Sequence, residues 1–264
     1  MSMLPTYVQG WQESIESTLA LVTDLTPEQW ATPTDCPGWS VQDVVAHLAH
    51  LESVLARGVV ETTAPGGSEI VSAYTESGVA ERRGRPPADD VAELRDALQR
   101  RLEQLADLPD DPEESAPVTP GGVAWSWDVL LRNRTIDAWV HEQDIRRALD
   151  RPGGFDGTAA QVVTMAFSFA MPFVLGKRVK PVPGTTVRWD VTGPVPVDLA
   201  VRVGDDGRAA RIEGFDGAVT TLRLSSEAFT TLAAGRRTAD GLEVEIEGDQ
   251  LVGRAVLDHM AVTP

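Results

Sequence analysis

The chain of 264 residues carries 40 acidic against 23 basic side chains, which gives it a formal net charge of −17. This charge argues against binding to nucleic acid or to an anionic membrane, because both kinds of partner need a basic surface. Hydrophobic residues make up 42% of the chain, which is enough for buried cores in one large domain or two ordinary ones.

Cysteine content and the start of the chain predict a cytoplasmic protein. Cys36 is the only cysteine, which excludes an internal disulfide and fits a reducing compartment. The first residues lack a basic stretch followed by an apolar one, so no signal peptide is predicted. The longest apolar run, 162–175, is shorter than the ~18 residues that span a bilayer, which predicts a core helix. We therefore expect no membrane insertion.

Helical periodicity dominates the first two thirds of the chain. Ser40, with Asp43 three residues later, predicts the capped start of a helix that runs from Val41 to about Gly58. A loop of about a dozen residues over 109–122 is long enough to be functional or mobile. The other elements predicted here are helix 4–25, turn 26–30, loop 64–67, helix 68–83, a helix capped by Asp89 or Asp90, helix 123–150 and helix 155–175.

The period changes after Lys180 from helical spacing to alternation. Asp205-Asp206-Gly207 is a hairpin turn signal between two of the alternating runs. The predicted elements are strands 186–192, 197–203, 208–213, 219–224 and 242–246, and helices 225–234 and 250–260. Helices followed by strands predict an all-α domain, 1–178, and a smaller α+β domain, 179–264.

The predicted helix over 123–150 carries more charge on one face than a core tolerates. At about 100° per residue, Arg134, Asp137, His141 and Asp144 share a wedge with the apolar Leu130. Buried charge is costly unless it is paired or bound to a metal. Asp137 and His141, four residues apart, are therefore candidate metal ligands.

A third candidate ligand, His47, lies on the flank of the apolar stripe of the helix that starts after Ser40. Facing helices of a bundle can build a metal site, and two histidines with one carboxylate leave an open coordination position, as in catalytic zinc sites. Asp43 and Asp144 are candidate acceptors for the outer imidazole N–H groups. His50 is predicted to face water, and His259 to be solvated or structural.

The same residues allow a purely structural interpretation. His47 and His141 would then be hydrogen-bonded core histidines, and Asp137 would pair with Arg134. Arg134 itself either holds a substrate carboxylate or pairs with Asp137. Cys36, which precedes Pro-Gly-Trp, is predicted to be a packed small side chain rather than a nucleophile. Spacing alone leaves these alternatives open.

Two motifs resemble those of the mycothiol-dependent maleylpyruvate isomerase family, a branch of the DinB/YfiT-like metalloproteins. The stretch from Cys36 to Leu48 resembles the family's second-helix motif, and Arg134 to Asp144 resembles its later-helix motif. Residues 234–237 and 246–249 resemble its small α+β domain, which is similar to sterol carrier folds. The resemblance implies an N-terminal DinB-like helical bundle over 1–178, followed by a small sterol-carrier-like domain over 179–264.

The resemblance also implies a set of site residues. His47, Asp137 and His141 would bind a divalent metal, with zinc as the first choice. The isomerase pattern has Glu at the position of Asp137, and Asp is one methylene shorter. Arg134 and Arg236 would act in catalysis by holding anions, and Arg236 or Arg237 would contact the thiol cofactor, mycothiol.

The implied reaction is an isomerisation or a transfer of sulfur to a small anionic or electrophilic molecule. A metal lowers the pKa of a coordinated thiol, and the resulting thiolate adds to an electron-poor alkene. One alternative is a metal-dependent lyase, hydrolase or cyclase that uses no thiol. Another is a noncatalytic binder of a small ligand. A monomer and a homodimer are both compatible with the sequence.

Overall fold

A computed structural model describes residues 2–60, 72–214 and 219–263. The chain divides into two compact units, Met1–Val162 and Val163–Pro264. The division falls inside a helix, before the predicted domain boundary at 178. The first unit is helical, and the second contains a five-stranded sheet. This architecture confirms the predicted fold class of a helical region followed by a mixed α/β region.

The first unit is built from helices whose starts the sequence encodes locally. Ser40 accepts a hydrogen bond from the backbone N–H of Asp43, and Asp43 accepts one from the backbone N–H of Ser40. Ser126 caps the later helix by accepting a hydrogen bond from the backbone N–H of Val129, without the reciprocal bond. The helices are α1 (Leu4–Leu21), α2 (Pro27–Trp30), α3 (Val41–Arg57), α4 (Ser72–Ala80), α5 (Pro87–Gln104), α6 (Trp127–Ala148) and α7 (Thr158–Phe173), with a 3₁₀ turn at Pro120–Gly122.

Element boundaries differ from the predicted ones mainly where a cap or a turn intervenes. The first helix ends at Leu21 rather than at residue 25, and Asp24 takes a left-handed conformation with φ of 60°. α5 starts at Pro87, so Asp89 and Asp90 lie in its first turn and do not cap it. The predicted loop 64–67 and the first residues of the predicted helix 68–83 lie outside the described residues.

The core of the first unit joins α1, α3, α5 and α6. α1 packs against α6, and α3 packs against α5. This packing removes the apolar face of each helix from water, and that burial is the main source of the helices' stability. The core side chains include Leu4, Trp11, Ile15, Val41, Val44, Leu48, Leu94, Leu98, Leu131, Ala138 and Ile145.

The second unit is organised around a sheet of strand order β3-β2-β1-β4-β5. β1 runs parallel to β4, and the other neighbours are antiparallel. The predicted turn at 205–207 joins β2 to β3, and Gly207 has the positive φ of 76° that such a turn favours. The elements are β1 (Thr186–Thr192), β2 (Val197–Val203), β3 (Ala209–Ile212), β4 (Thr220–Ser225), α8 (Ser226–Ala233), β5 (Val244–Glu247) and α9 (Gln250–Asp258).

One long apolar helical segment begins with α7 and continues as π-helix over Val174–Val179. Among the described residues, this segment, Thr158–Val179, meets the length and composition of a membrane span. More than half of its most apolar stretch is buried in the structure, as in the core helix of a soluble protein. The predicted absence of a membrane partner stays a prediction.

Candidate metal centre

α3 and α6 bring the three candidate ligands together. His47 lies nearly two turns after the Ser40 cap and is 3% exposed. Asp137 and His141 lie one turn apart on α6, which Ser126 caps. The caps fix where each helix begins, and therefore which residues face the neighbouring helix. The side chains predicted to converge do so in the structure.

The distances between the ligand atoms fit a metal ion. Asp137 Oδ1 lies 3.4 Å from His47 Nε2 and 3.6 Å from His141 Nε2. Ligand atoms around a tetrahedral metal with bonds of about 2.0–2.1 Å lie roughly 3.3 Å apart. The imidazole ring centroids are 4.7 Å apart. Two imidazole nitrogens and one carboxylate oxygen form a donor set that leaves a fourth position for another ligand.

The charges of the site's own side chains are distributed unequally. Burial raises the pKa of the Asp137 carboxyl, but the charges of Arg134, His47 and His141 outweigh burial and hold it well below its ordinary value. Burial lowers the pKa of His47 to about 4, against the attraction of Asp137. Burial also acts on His141, but the charge of Asp137 and the hydrogen bond to Asp144 raise its pKa to about 10. The site therefore holds a carboxylate, a neutral His47 and a protonated His141.

Asp144 fixes the outer nitrogen of His141. Its Oδ2 lies 3.0 Å from His141 Nδ1, and Arg147 Nη2 donates to its Oδ1 at 2.6 Å. Arg147 also donates to Asp35 at 2.6 Å. Carboxylates commonly orient metal-binding imidazoles in this way. The geometry agrees with the acceptor role predicted for Asp144.

The predicted acceptor role of Asp43 is wrong, because its carboxylate is used elsewhere. Asp43 accepts hydrogen bonds from Ser40 at the helix start and from Arg83 at 3.0 Å. His47 Nδ1 is buried and has no hydrogen-bond partner among the described residues. Packing, rather than an outer hydrogen bond, holds this imidazole.

Arg134 lies inside the bundle and is 1% exposed. Its Nη2 donates to Asp137 Oδ2 at 2.9 Å and lies 2.8 Å from Glu52 Oε1. The structure thus shows the ion pair with Asp137, one of the two interpretations that the sequence left open. A role for Arg134 in holding a substrate anion stays a prediction.

Two side chains from the turn before α3 adjoin the site, and sequence reasoning gave neither a role there. The Cys36 thiol donates to Asp144 Oδ2 at 3.2 Å, and its Sγ lies 3.9 Å from His141 Nδ1. The Trp39 ring centroid lies 5.0 Å from that of His47 and 6.0 Å from that of His141. The one local signal was their place in Cys36-Pro-Gly-Trp39, directly before the cap of α3.

The other candidate residues lie elsewhere. Arg236 and Arg237 follow α8 in the second unit, and Arg236 Nη1 donates to the Ala234 carbonyl at 3.0 Å. Their predicted contacts with substrate and cofactor stay predictions. His50 is 8% exposed and lies 3.3 Å from Arg82 Nη1, so the prediction that it faces water is wrong. The packing of α4 on α3 buries it, and a Cβ on Gly78 would collide with its ring. His259 is exposed, as predicted.

Sequence comparison finds relatives for the first unit. Residues 11–146, just over half of the chain and including every candidate ligand, match the family model of the mycothiol maleylpyruvate isomerase N-terminal domain. Two uncharacterized proteins of Mycobacterium tuberculosis, from strains CDC 1551 and H37Rv, are each 26% identical over 137 residues. That alignment covers 49% of this chain and 51% of each relative, so the chain spans about half the length of the curated relatives it matches.

Structure comparison extends the likeness to the whole fold. A mycothiol-dependent maleylpyruvate isomerase and a histidine-to-alanine mutant of it match with TM-scores of 0.56 and 0.58. The matches cover 92% of this chain and 92% of each solved chain, at 13% and 12% identity. At this identity the match establishes the fold alone. With the family model matching half of its length, the chain belongs to the mycothiol maleylpyruvate isomerase N-terminal domain family.

Proposed function

We propose that this protein is a divalent-metal enzyme that uses mycothiol to isomerise a small electrophilic molecule or to attach the thiol to it through sulfur. Family membership and the shared fold support the reaction class. One observation carries the metal assignment. The Nε2 atoms of His47 and His141 both lie within 3.6 Å of Asp137 Oδ1. Zinc is the first choice, because this donor set with one open position is typical of catalytic zinc.

A metal held by these three side chains would lower the pKa of a bound thiol and so supply a nucleophile at neutral pH. The chain's own residues prepare the place for it. Asp137 stays ionised, and Asp144 keeps the His141 ring oriented so that its Nε2 points toward Asp137. Trp39 places an apolar indole beside both imidazoles, which excludes water from that side. The Asp137 side chain is 23% exposed, so the site is accessible from solvent.

The site's own side chains favour a thiol that is brought in over one that the protein supplies. Cys36 is engaged with Asp144 on the outer side of the His141 ring, at Nδ1, while the candidate metal-binding nitrogen is Nε2. The cysteine therefore lies behind the ligand and not at the open position. This placement supports a soluble thiol cofactor as the nucleophile.

Metal analysis of the purified full-length protein tests the metal assignment. We expect about one divalent ion per chain, as in a single site of this donor type. His47→Ala should lose the ion, and His259→Ala, which alters an exposed histidine of the second unit, should retain it. Absence of a stoichiometric metal in the wild type, with His47→Ala indistinguishable from it, would overturn the proposal.

Thermal-shift titration with mycothiol tests the thiol. A ligand that binds only the folded state raises apparent stability by mass action, so the melting temperature should rise with mycothiol in the metal-loaded protein. The rise should be absent after chelation or in His47→Ala. If mycothiol does not change the melting temperature of the metal-loaded protein, the result would favour metal chemistry without a thiol. Conversion of maleylpyruvate and transfer to a model electrophile then distinguish isomerase from S-transferase.

A further inference from the structure

A buried ion pair between Glu52 and Arg134 lies next to Asp137, and the chemistry proposed above does not use it. Glu52 of α3 is 0% exposed and Arg134 of α6 is 1% exposed. Arg134 Nε donates to Glu52 Oε1 at 2.9 Å, and Nη2 lies 2.8 Å from the same oxygen. A buried ion pair is weak support for stability, because replacing both partners by well-packed apolar residues is often neutral or stabilising. A charge pair in this position therefore needs another explanation.

One nitrogen of Arg134, Nη2, connects the ion pair to the proposed metal centre. Arg134 Nη2 also donates to Asp137 Oδ2 at 2.9 Å, so it joins the two carboxylates. Oδ1 lies within 3.6 Å of both imidazole Nε2 atoms, whereas Oδ2, which the guanidinium engages, lies 3.3 Å from His47 Nε2. The rotation of the Asp137 carboxylate, and thus which oxygen faces the metal, depends on where Arg134 sits.

Glu52 determines where Arg134 sits. An arginine side chain has many rotamers, and Asp137, only three residues away on the same helix, cannot anchor the guanidinium to the opposite helix. Glu52 provides that anchor from α3, the helix that also carries His47. The contact therefore links the two ligand-bearing helices beside the site and fixes the carboxylate at the same time.

We infer that Glu52 is a positioning residue of the metal centre, which acts through Arg134 to present one oxygen of Asp137 to the metal. The inference rests on the proposed metal site and extends it to a residue that touches none of the three ligands. Glu52 Oε2 and Arg134 Nη1 have no hydrogen-bond partner among the described residues, and the charge of the buried Arg101 attracts Glu52 and repels Arg134. Loss of the Glu52 charge should therefore release Arg134.

Glu52→Gln tests this role, since it keeps the shape and removes the charge. Outer partners of metal ligands typically contribute about 10–100-fold to metal affinity, and we expect a loss in that range for Zn²⁺ in competition with a chelating dye. The visible absorption of the Co²⁺-saturated protein should also change, because a reoriented Asp137 alters the ligand field. A purely structural role for Glu52 would lower the melting temperature and leave the Co²⁺ spectrum unchanged.

Glu93→Gln is the matched control. Glu93 of α5 pairs with Arg82 at 2.7 Å and Arg85 at 3.0 Å, and it contacts no candidate ligand. The Glu93→Gln variant should be less stable than the wild type, but its Kd for Zn²⁺ and its Co²⁺ spectrum should be unchanged. In an Arg134→Gln background, Glu52→Gln should have no further effect on the Kd, because its route to Asp137 is gone.

The possible failures are distinguishable. Wild-type protein that binds no metal would overturn the proposed function itself. Wild-type protein that binds metal, with Glu52→Gln binding equally tightly and showing the same Co²⁺ spectrum, would overturn this inference alone. If Glu52→Gln does not fold, Arg134→Gln replaces it, since the amide has no charge with which to join the two carboxylates. An unchanged Kd and Co²⁺ spectrum in Arg134→Gln would equally overturn the inference.

Discussion

The two histidines of the candidate metal centre are held in opposite ways. The outer nitrogen of His141 contacts Asp144, which accepts a hydrogen bond from Arg147, and Arg147 donates in turn to Asp35. His47 has no partner on its Nδ1 among the described residues and is held by burial against Trp39 and the bundle core. The difference teaches that α6 carries two candidate ligands together with their supporting side chains, whereas α3 contributes one candidate ligand held by packing.

Replacing each histidine in turn gives the largest expected effect. His141→Ala removes a ligand and leaves Asp144 without its imidazole partner, so the Kd for Zn²⁺ should rise by more than the roughly 100-fold that marks the loss of an outer partner. His47→Ala should also weaken binding strongly, but less than His141→Ala. Dye-competition titrations measure both. An equal loss of Zn²⁺ affinity in the two variants would contradict the difference between the two histidines.

Asp144→Asn should weaken metal binding by about 10–100-fold, the usual range for an outer carboxylate partner. The amide keeps the shape but no longer stabilises the imidazole or pairs with Arg147. The Kd for Zn²⁺ measures the effect, and Asp43→Asn is the control, since the Asp43 carboxylate bonds Ser40 and Arg83 and not the His47 imidazole. A larger loss in Asp43→Asn than in Asp144→Asn would reverse the comparison.

Metal binding at pH 7 should release about one proton from the histidines, because pH 7 lies above the pKa of His47 and below that of His141. His141, with its pKa raised to about 10, is protonated before the metal enters, and His47, with its pKa lowered to about 4, is already neutral. Calorimetric titration in buffers of different ionisation enthalpy counts the proton. Release of none, or of two, would contradict the unequal protonation.

The stability of the metal-free protein should depend on the two histidines with opposite sign. A raised pKa means that the contribution of His141 is present below its ordinary pKa of about 6.5 and is lost as the pH rises toward 10. A lowered pKa means that stability is lost at His47 as the pH falls from about 6.5 toward 4. The difference in melting temperature between wild type and His141→Gln should shrink from pH 6 to pH 10. A constant difference would contradict the assignment.

Cys36→Ser should have the smallest effect. Serine keeps a donor toward Asp144, so the Kd for Zn²⁺ should change less than about tenfold, the lower end of the range for an outer partner. Reaction with mycothiol as cofactor should continue in this variant. Loss of activity with intact metal binding would show that the protein's own thiol takes part in the chemistry.

The same contrast explains how much of the site could be read from the sequence. Arg134, Asp137, His141 and Asp144 are three or four residues apart on one helix, so their shared face follows from helix geometry alone. His47 was found because its helix start is encoded by Ser40 and its apolar stripe defines a flank. Helix boundaries and the turn at Gly207 followed from local signals as well, except where α1 ends early at Leu21.

Contacts that join distant parts of the chain could not be found in this way. The position of Cys36 beside Asp144, the partner of Glu52 and the burial of His50 all depend on how helices pack, and no local pattern encodes that. Asp43 is instructive, because the sequence offered it two roles. The contact of Asp43 with the helix start is local and could be predicted. Whether its carboxylate reaches His47 Nδ1 depends on the side-chain rotamer of Asp43, which the sequence does not encode.

Trp39 and Ser40 are consecutive. Trp39 lies beside the two candidate imidazoles, and Ser40 caps α3. The first turn of α3 therefore cannot fray without carrying the indole away from the site. Helix ends open locally at low free energy, well below that of global unfolding. Metal exchange at the proposed site should therefore depend on the fraying of this single turn. The exchange rate, and the quenching of Trp39 by a paramagnetic ion, become readouts of how tightly that helix is capped.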